Sequence, residues 1–503
     1  MLPRDRVSWC VSAFVLASSA AALADDLTVP RQYRTIDDAL AAAMSGDRVI
    51  VRGGTYENLH VTKSGVQIVA RGTTVRGYVW IDASTVSVSG LRLGRDGRII
   101  ITGDDVTVTG TRTPGRGRRA ISVQGGRRAT LAGNKLSQGD IEVLRGADAS
   151  VTGNRLKSGT IRSLDVGAII EGNTAPSIEA SAGDSSVLDN RCKELEATGD
   201  SCDVANNVVA DGLWVTGSGA VIQGNEVDAT MTVRGDDAAI SGNSLVTGGI
   251  DVNGDRASVL GNTVEASPLG VGVRGNDFTI SGNDLTAVAS AMHDYSVGFA
   301  RCPGIAVADR ATGGTITDNV ITHQTGSGII VDASGVTISG NDIHGIASLT
   351  SIAVTGAGNT IADNTVVQTG VAQSFGDGID VVGDGNTVSG NDIGVVAQDA
   401  ILIRIGTGNV ISDNTIDAAP GCGLVITCHA SDTVVSDCDV SACGLGIVNA
   451  GVSTSMTGTD TQDNEFADIL DVSAGFETFE DNTYDTISHD RVLAPSIIGQ
   501  AFD

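Results

Sequence analysis

The chain has 503 residues, of which 66 are glycine and 8 are proline, and its formal net charge is −28 at pH 7. A collagen-like fold is excluded because glycine has no three-residue period and proline is scarce. Intrinsic disorder is excluded because 41% hydrophobic residues can bury a core.

The charge is unevenly distributed along the chain. Residues 1–200 hold 25 Lys and Arg against 22 Asp and Glu, a net of +3, whereas residues 201–503 hold 7 against 38, a net of −31. The second part would repel phosphates, so we expect no nucleic-acid partner. An arginine cluster in the first part is interpreted as a solvated face, with a polyanion site as the alternative. The cluster comprises Arg112, Arg116, Arg118, Arg119, Arg127 and Arg128.

Residues 1–24 are predicted to be a signal peptide. Arg4 and Arg6 precede a short apolar run, and Ala22-Leu-Ala24 is a small-residue cleavage site before Asp25. No later apolar run is long enough for a membrane span. The sequence therefore predicts a secreted or periplasmic protein.

Residues 25–50 are predicted to form an N-terminal cap that contains a helix. Thr35 is a candidate N-cap with an acid three residues later. Ile36, Leu40 and Met44 would share one face, and Gly46 would end the helix.

A repeated turn signal dominates the rest of the chain. Short alternating segments such as Phe278-Thr-Ile-Ser-Gly-Asn283 place apolar residues on one face of a strand. Gly and Asn then tolerate the left-handed backbone of a tight turn, and stacked Asn side chains can hydrogen-bond as a ladder. The Asn position recurs at 134, 154, 173, 190, 207, 225, 243, 262, 283, 319, 341, 364, 391, 414, 464 and 482, with Cys438 replacing it once.

This period predicts an all-β fold, a right-handed parallel β-helix (solenoid) over residues 51–482. One turn cannot bury its apolar face alone, so the turns must stack. The C-terminal cap is placed at 483–503, where the repeat is lost. Export would permit disulfides, and Cys192 and Cys202 are ten residues apart, as are Cys428 and Cys438.

The N-terminal part also resembles a known family. The segments that carry this resemblance are Tyr33-Arg-Thr-Ile-Asp-Asp-Ala-Leu, Gly46-Asp-Arg-Val-Ile-Val and Gly54-Thr-Tyr-Glu-Asn58. They look like the opening of pectin-lyase-like right-handed β-helix proteins, and the resemblance covers roughly residues 27–482. It implies the same fold. The family includes polysaccharide lyases, glycoside hydrolases, uronan epimerases, tailspikes and adhesins, so the activity stays open.

Irregular turns are the predicted location of a site, since regular turns leave little room for one. The interval between Asn283 and Asn319 is the longest and contains His293, Tyr295 and Arg301. The following turns add His323, His344 and Gln368 after the Asn position. We interpret these side chains as sugar contacts, with a metal site as the weaker alternative.

Three segments place Asp377, Asp399 and Cys422 at the same point before successive buried strands. Two carboxylates one turn apart would repel, so one should have a raised pKa and could serve with the other as acid and base. The stretch is similar to polygalacturonase-type hydrolases, although Phe375-Gly376, Gln398 and Cys422 replace the Asn-Thr, second acid and histidine of that pattern. The alternative is that both acids are ordinary turn residues.

These observations favour a protein that binds an extracellular polysaccharide, with its cleavage or epimerisation as a further hypothesis that the sequence leaves open; a non-catalytic scaffold or adhesin is the alternative. No cofactor or metal is predicted, although turns such as Asp251–Asp255 leave calcium open, and the oligomeric state is not predicted. The catalytic candidates are Asp377, Asp399, His293 and His344. The substrate-binding candidates are Tyr295, Arg301, His323, Gln368, Phe375, Asp380 and Arg404.

Overall fold

The computed structural model describes residues 24–113, 119–265, 269–286, 303–324, 326–346, 349–367, 376–473 and 475–489. Within them the chain winds as a parallel β-helix, and each full turn contributes to three faces, which we call A, B and C in chain order. The Gly-Asn or Asp-Asn signal marks the corner between face A and face B. The predicted all-β parallel solenoid is therefore confirmed.

Face A is a 22-stranded parallel sheet of mostly three-residue strands. Its strands are Asp26–Val29, Arg48–Arg52, Gln67–Arg71, Ser87–Ser89, Thr107–Thr109, Thr130–Ala132, Ser150–Thr152, Ile169–Glu171, Ser186–Leu188, Asp203–Ala205, Val221–Gln223, Ala239–Ser241, Ser258–Leu260, Thr279–Ser281, Thr315–Thr317, Thr337–Ser339, Thr360–Ala362, Thr387–Ser389, Val410–Ser412, Val434–Ser436, Ser455–Thr457 and Thr478–Glu480.

Face B follows the Asn corner. Its strands are Thr55–Tyr56, Thr74–Val75, Arg92–Leu93, Arg112–Thr113, Lys135–Leu136, Arg155–Leu156, Glu226–Val227, Ser244–Leu245, Thr263–Glu265, Asp284–Thr286, Val320–Thr322, Asp342–His344, Thr365–Val367, Asp392–Ile393, Thr415–Asp417, Asp439–Ser441, Asp460–Gln462 and Thr483–Tyr484. Between Arg155 and Arg191 the face is continued by Thr174, which forms one bridge to each of these two arginines.

Face C carries the longer strands, two of which begin on face B. Its strands are Leu59–Val61, Tyr78–Ile81, Arg98–Ile101, Arg119–Val123, Asp140–Val143, Thr160–Ser163, Ser177–Ala180, Arg191–Thr198, Val208–Thr216, Met231–Arg234, Ile250–Asn253, Val271–Arg274, Ile305–Thr312, Ile329–Ser334, Ile352–Thr355, Ile379–Val382, Ile401–Thr407, Cys422–Ile426, Leu445–Asn449, Ala467–Asp471 and Ile487–Ser488. A further strand, Ala430–Ser431, pairs with the end of Ile401–Thr407.

The Asn side chains at the corner between faces A and B form the predicted ladder. Asn225 is representative: its Oδ1 accepts from the backbone N of Asn207 at 2.9 Å and from Nδ2 of Asn207 at 3.0 Å. Its Nδ2 donates to the Val204 carbonyl at 2.8 Å and to Oδ1 of Asn243 at 2.9 Å. The pattern runs unbroken from Asn134 to Asn414, so buried backbone groups at each corner are satisfied by the neighbouring turns.

The position before each ladder Asn requires a positive φ, which explains why Gly or Asp usually occupies it. Gly224 has φ +62° and Asp363 has φ +54°, both in the left-handed region. Gly enters this region freely, and Asp and Asn do so at less cost than other residues. A second ladder, which the sequence period did not reveal, joins Asn359, Asn386 and Asn409 at the corner before face A.

The ladder changes near its C-terminal end. Cys438 does occupy the Asn position, with its Sγ 3.9 Å from Nδ2 of Asn414. On the next turn Thr459 holds the position, and its backbone N donates to Oδ1 of Asn482. The assignment of Asn464 to the ladder was wrong, because Asn464 lies after the face B strand and accepts from the backbone N of Cys443. A similar sequence signal therefore marks a different corner.

The interior is one continuous hydrophobic cluster filled by inward Val, Ile, Leu and Ala side chains of all three faces. Near the N-terminal end it receives the helix Ile36–Ala42. Thr35 is its N-cap and accepts from the Asp38 backbone N at 3.1 Å, as predicted. The helix ends before Gly46, and Met44 is 64% exposed, so the prediction that Met44 joins the buried face was wrong. The chain leaves helical geometry at Ala43 and turns Met44 outwards.

The strands continue slightly beyond the predicted limit of the solenoid at 482. Thr483–Tyr484 pairs with face B, and Ile487–Ser488 pairs with face C. Among the described residues, no helix combines the length and apolar character that crossing a bilayer requires.

All six cysteines in the described part of the chain are free thiols, so the structure does not contain the expected disulfides there. The spacing of ten residues misled the prediction, because ten residues cover only part of a turn. Cys192 lies on face B, whereas Cys202 lies at the corner before face A and contacts the Gly199 carbonyl. The cysteines in each pair therefore occupy different sides of the solenoid.

Candidate functional site

Two aspartates occupy one column at the corner between faces B and C, as their spacing predicted. Asp377 precedes the strand Ile379–Val382, and Asp399 precedes Ile401–Thr407. The Asp399 backbone N donates to Oδ1 of Asp377 at 3.3 Å, and the Cys422 backbone N donates to Oδ1 of Asp399 at 2.7 Å. Each aspartate is only 7% exposed. Each carboxyl thus binds the backbone of the following turn.

Glycines beside these acids allow the turns to approach closely. A Cβ on Gly378 would lie 2.5 Å from the Ala400 carbonyl oxygen, and a Cβ on Gly421 would lie 2.5 Å from Oδ1 of Asp399. Both distances are too short for any side chain. The Gly-Asp-Gly and Gly-Cys-Gly triplets are therefore explained by the space that the acid column requires.

Burial raises the pKa values of both aspartates in the column, and repulsion by neighbouring carboxylates adds to the rise at Asp377. The pKa of Asp377 is raised to about 7, first by burial and then by the charges of Asp399 and Asp380, while Arg404 opposes the rise. Burial also raises the pKa of Asp399, against hydrogen bonds from Cys422. The pKa of the Cys422 thiol is well above its ordinary value because the thiol is buried beside Asp399. The raised pKa keeps part of the Asp377 population protonated near neutral pH.

Arg404 and Asp380 complete the cluster on the outer side of face C. The register of Ile401–Thr407 against the preceding strand shifts at Arg404, which therefore forms a β-bulge. Its Nη2 lies 2.9 Å from Oδ2 of Asp380 and 3.9 Å from Oδ2 of Asp377. The bulge directs one cation towards two of the three acids. We call Asp377, Asp380, Asp399 and Arg404 the acid cluster.

The two described histidine candidates lie on face B and its corner, apart from the acid cluster. His344 Nε2 contacts Oδ1 of Asp342 on its own strand. His323 is exposed, has φ +55°, and donates from its backbone N to the His344 carbonyl at 3.0 Å. No described hydrogen bond or ion pair joins either histidine to Asp377 or Asp399. The structure thus brings the acids together and leaves these histidines elsewhere.

Five predicted site residues lie outside the described residues: His293, Tyr295, Arg301, Gln368 and Phe375. Within the described ranges, no group of three or more His, Cys, Asp and Glu side chains is placed to hold a metal ion.

A second feature of face C is a groove of about 680 Å³ around Trp214. The indole, 42% exposed, lies against Gly212, where a Cβ would come 2.5 Å from the ring. Asp251 at the same groove forms an ion pair with Arg274 at 2.8 Å. The groove thus combines an aromatic ring with fixed charges. It is lined by Glu194, Glu196, Trp214, Thr216, Thr232, Arg234 and Asp251.

The groove and the acid cluster share one outward column of face C, which we call the face C column. From Trp214 the paired residues run to Asp380 over seven turns, or roughly 34 Å for a strand spacing of 4.8 Å. Trp80 lies on the same column towards the N-terminus. The column is buried at Gly272 and Ala306 between the groove and Asp380, and beyond Asp380 it becomes apolar and buried again from Leu402.

The family model described as "Right handed beta helix region" matches residues 187–366 and 327–484, which together cover more than half of the chain. The chain belongs to this right-handed β-helix family. The match agrees with the predicted hand of the solenoid and with the pectin-lyase-like resemblance. No curated protein matches the sequence.

Solved structures similar to this β-helix have low identity to it. A mutant tailspike protein of E. coli bacteriophage HK620, in complex with a pentasaccharide, is 9% identical, covers 75% of this chain and 71% of its own, and has a TM-score of 0.38. A mutant of the periplasmic alginate epimerase AlgG is 11% identical, with 76% and 78% covered and a TM-score of 0.30. The PL6 family alginate lyase AlyGC is 12% identical, with 92% and 100% covered and a TM-score of 0.31.

Sequence reasoning missed the Trp214 groove of this β-helix. The segment Leu213-Trp-Val-Thr216 alternates, and both neighbours of the tryptophan are buried. In a strand that alternates, the tryptophan must then face outwards. Trp80 obeys the same rule, so an outward tryptophan in an alternating strand was the available signal.

Proposed function

We propose that this β-helix binds an extracellular polysaccharide along the face C column. The observation that carries the proposal is the Trp214 groove. An exposed indole offers a flat apolar surface on which a sugar ring can stack, and adjacent Glu196, Arg234 and Asp251 offer hydrogen-bond partners for hydroxyl groups. Trp80, farther along the same column, is a second exposed indole on this face.

The binding test compares Trp214→Ala with wild type in affinity electrophoresis through gels that contain neutral or acidic polysaccharides. We expect Trp214→Ala to lose most of the retardation, by roughly 10-fold or more in affinity, because aromatic anchors dominate such sites. Phe466→Ala is the matched control, since it removes another exposed aromatic side chain away from the groove. Absence of retardation by every polysaccharide for the wild-type protein would refute the proposal.

A second candidate function is cleavage of the bound polysaccharide at the acid cluster. In this hypothesis Asp377 donates its proton to the oxygen of the glycosidic bond, and Asp399 acts as the partner carboxylate. The pKa of about 7 favours Asp377 as the donor. Asp377→Asn and Asp399→Asn should then abolish the release of reducing ends, while retardation in the gels is retained.

The non-catalytic scaffold remains the alternative to cleavage. It is favoured by the low exposure of Asp377 and Asp399 and by their hydrogen bonds to the backbone of the next turn. A screen of polysaccharides for reducing ends and for unsaturated products separates the two: binding without any product would leave the scaffold role.

A further inference from the structure

The outward column of face B changes sign along the solenoid, and we call it the face B column. From Arg92 to Arg191 it carries a cation on every turn except that of Thr174, and the two turns before Arg92 carry Thr55 and Thr74. The cations are Arg92, Arg112, Lys135, Arg155 and Arg191. After Val208 the same column carries acids on many turns. These are Glu226, Asp284, Asp342, Asp392, Asp439 and Asp460.

The cations of the face B column have no ion-pair partner among the described residues. Face C differs, because there Arg162 pairs with Glu179 and Arg274 pairs with Asp251. Of the acids on the face B column, Asp342 alone has a described ion-pair partner, namely His344. Like charges on turns about 4.8 Å apart repel one another. Apart from Asp342, the charges on both parts of the column therefore have no ion-pair partner among the described residues, and every column residue from Arg92 to Asp460 is exposed or half-buried.

We propose that two copies of this chain associate through face B with antiparallel axes, so that the cationic turns of each copy lie against the acidic turns of the other. The twofold axis lies between the turns of Ser244 and Thr263. Counting turns outwards from that axis gives four Arg–Asp pairs, each present twice. Arg191 faces the partner's Asp342, Arg155 the partner's Asp392, Arg112 the partner's Asp439, and Arg92 the partner's Asp460.

The register of this pairing is specific. Moving one copy by a single turn in one direction leaves only Arg92 and Lys135 opposite an acid, and in the other direction only Arg112 and Lys135 do so. Because both copies are the same solenoid, their turn spacings are identical and the pairs stay in step from one turn to the next. The proposed register also places Val208 opposite the partner's Val320, which is 40% exposed.

One pair opposes the proposed register. Glu226 would face the partner's Asp284, and the symmetry repeats this repulsion.

The strip from Arg92 to Asp460 spans seventeen turn spacings, or roughly 80 Å. At a width of about 10 Å each copy would contribute about 800 Å², which is the size of an ordinary stable interface. The interface has few apolar residues, so its affinity should depend strongly on salt.

A linear polyanion is the competing occupant of the cationic turns. It would neutralise the arginines but would be repelled by the acids that continue the same column. A second copy compensates both parts at once, which is why we favour it. The proposal is independent of the polysaccharide proposed for face C.

The test is sedimentation equilibrium of the full chain at about 0.01 M and about 1 M salt, where the Debye length is about 30 Å and about 3 Å. We expect a dimer at low salt and a monomer at high salt. Arg112→Asp should raise the Kd roughly 30-fold, because the reversal occurs twice in the dimer. Asp439→Arg should do the same, and the two changes together should restore the dimer.

Two further variants sharpen the result. Arg71→Asp is the control, because it reverses an exposed cation on face A and should leave the dimer intact. Glu226→Lys should strengthen the dimer, since it converts the opposing pair into an attractive one. Far-ultraviolet circular dichroism checks that each variant is folded.

A monomer at low salt would overturn the proposal. A monomer that bound polygalacturonate through Arg112 would also do so, and it would favour the polyanion instead. A dimer that tolerates Arg112→Asp, or one that the double exchange fails to restore, would also overturn it.

Discussion

The first and second halves of the solenoid have the same interior and opposite exteriors. Asn154 in the first half and Asn364 in the second make equivalent ladder contacts, with donor–acceptor distances between 2.8 and 3.1 Å. Outside, the face B column is cationic at Arg112 and acidic at Asp439. Inward side chains and corners therefore determine the fold, so that surface charge can change sign without altering the winding.

The largest expected effect tests the shared interior. Asn154→Ala and Asn364→Ala should each lower the free energy of unfolding by about 4 kcal/mol, because each leaves buried backbone groups on neighbouring turns without partners. Urea unfolding followed by circular dichroism measures the loss. Asn253→Ala, at an exposed position, is the control and should change stability by less than about 0.5 kcal/mol. Unequal losses at the two ladder positions would contradict a common interior.

The next effect concerns the acid cluster, which only the second half possesses. Because burial raises the pKa of Asp377 above its unfolded value, the native state binds more protons, and stability falls as pH rises from about 4 to about 7. Asp377→Asn removes this cost and should stabilise the protein at pH 8 by roughly 3 kcal/mol relative to wild type. Urea midpoints at pH 5 and pH 8 measure the difference, which should shrink at the lower pH.

The first half supplies the matched control for that pH dependence. The hydrogen bond from Arg128 lowers the pKa of Asp105, so this acid contributes stability at neutral pH and loses it as pH falls through the lowered pKa. Asp105→Asn should therefore destabilise slightly at neutral pH, opposite in sign to Asp377→Asn. The same sign for both variants would contradict burial as the cause.

The smallest expected effect compares two arginines. Arg404→Ala leaves Asp377 and Asp380 without their nearest cation and, after allowance for solvent screening, should cost about 1 kcal/mol at pH 8. Arg128→Ala removes an ion pair whose two side chains are about half exposed, and it should lower the melting temperature slightly and by less than Arg404→Ala does. Thermal unfolding at pH 8 distinguishes the two, and equal shifts would show that the acid cluster has no special environment.

Much of the fold was predictable because its determinants are local. The Gly-Asn signal requires only that one backbone position adopts positive φ and that one amide stacks on the next, and both requirements are visible in the sequence. Asn464 shows the limit of this logic, since the same dipeptide type can serve another corner. Met44 shows another limit, because helical periodicity does not reveal that the helix ends before this residue.

The site was less predictable because it depends on which columns come together. The column of Asp377 and Asp399 followed from their spacing before equivalent strands, and Asp380 and Arg404 lie beside it. His344 does not lie beside this column, because residues three or four positions after the Asn corner stay on face B. Burial of the acids, which produces the pKa of about 7, depends on packing that spacing does not report.

The thiol of Cys438 in the ladder has a consequence for how the molecule opens. A thiol is a weak hydrogen-bond partner, and the following turn has threonine in place of an amide. The chain of amide-to-amide bonds therefore stops at Asn414. Turns beyond it are joined by strand pairing, apolar contact and separate side-chain hydrogen bonds such as those of Asn464 and Asn482, without a continuous ladder. The end of the ladder at Asn414 is therefore the point from which we expect the C-terminal turns to fray while the remainder stays wound.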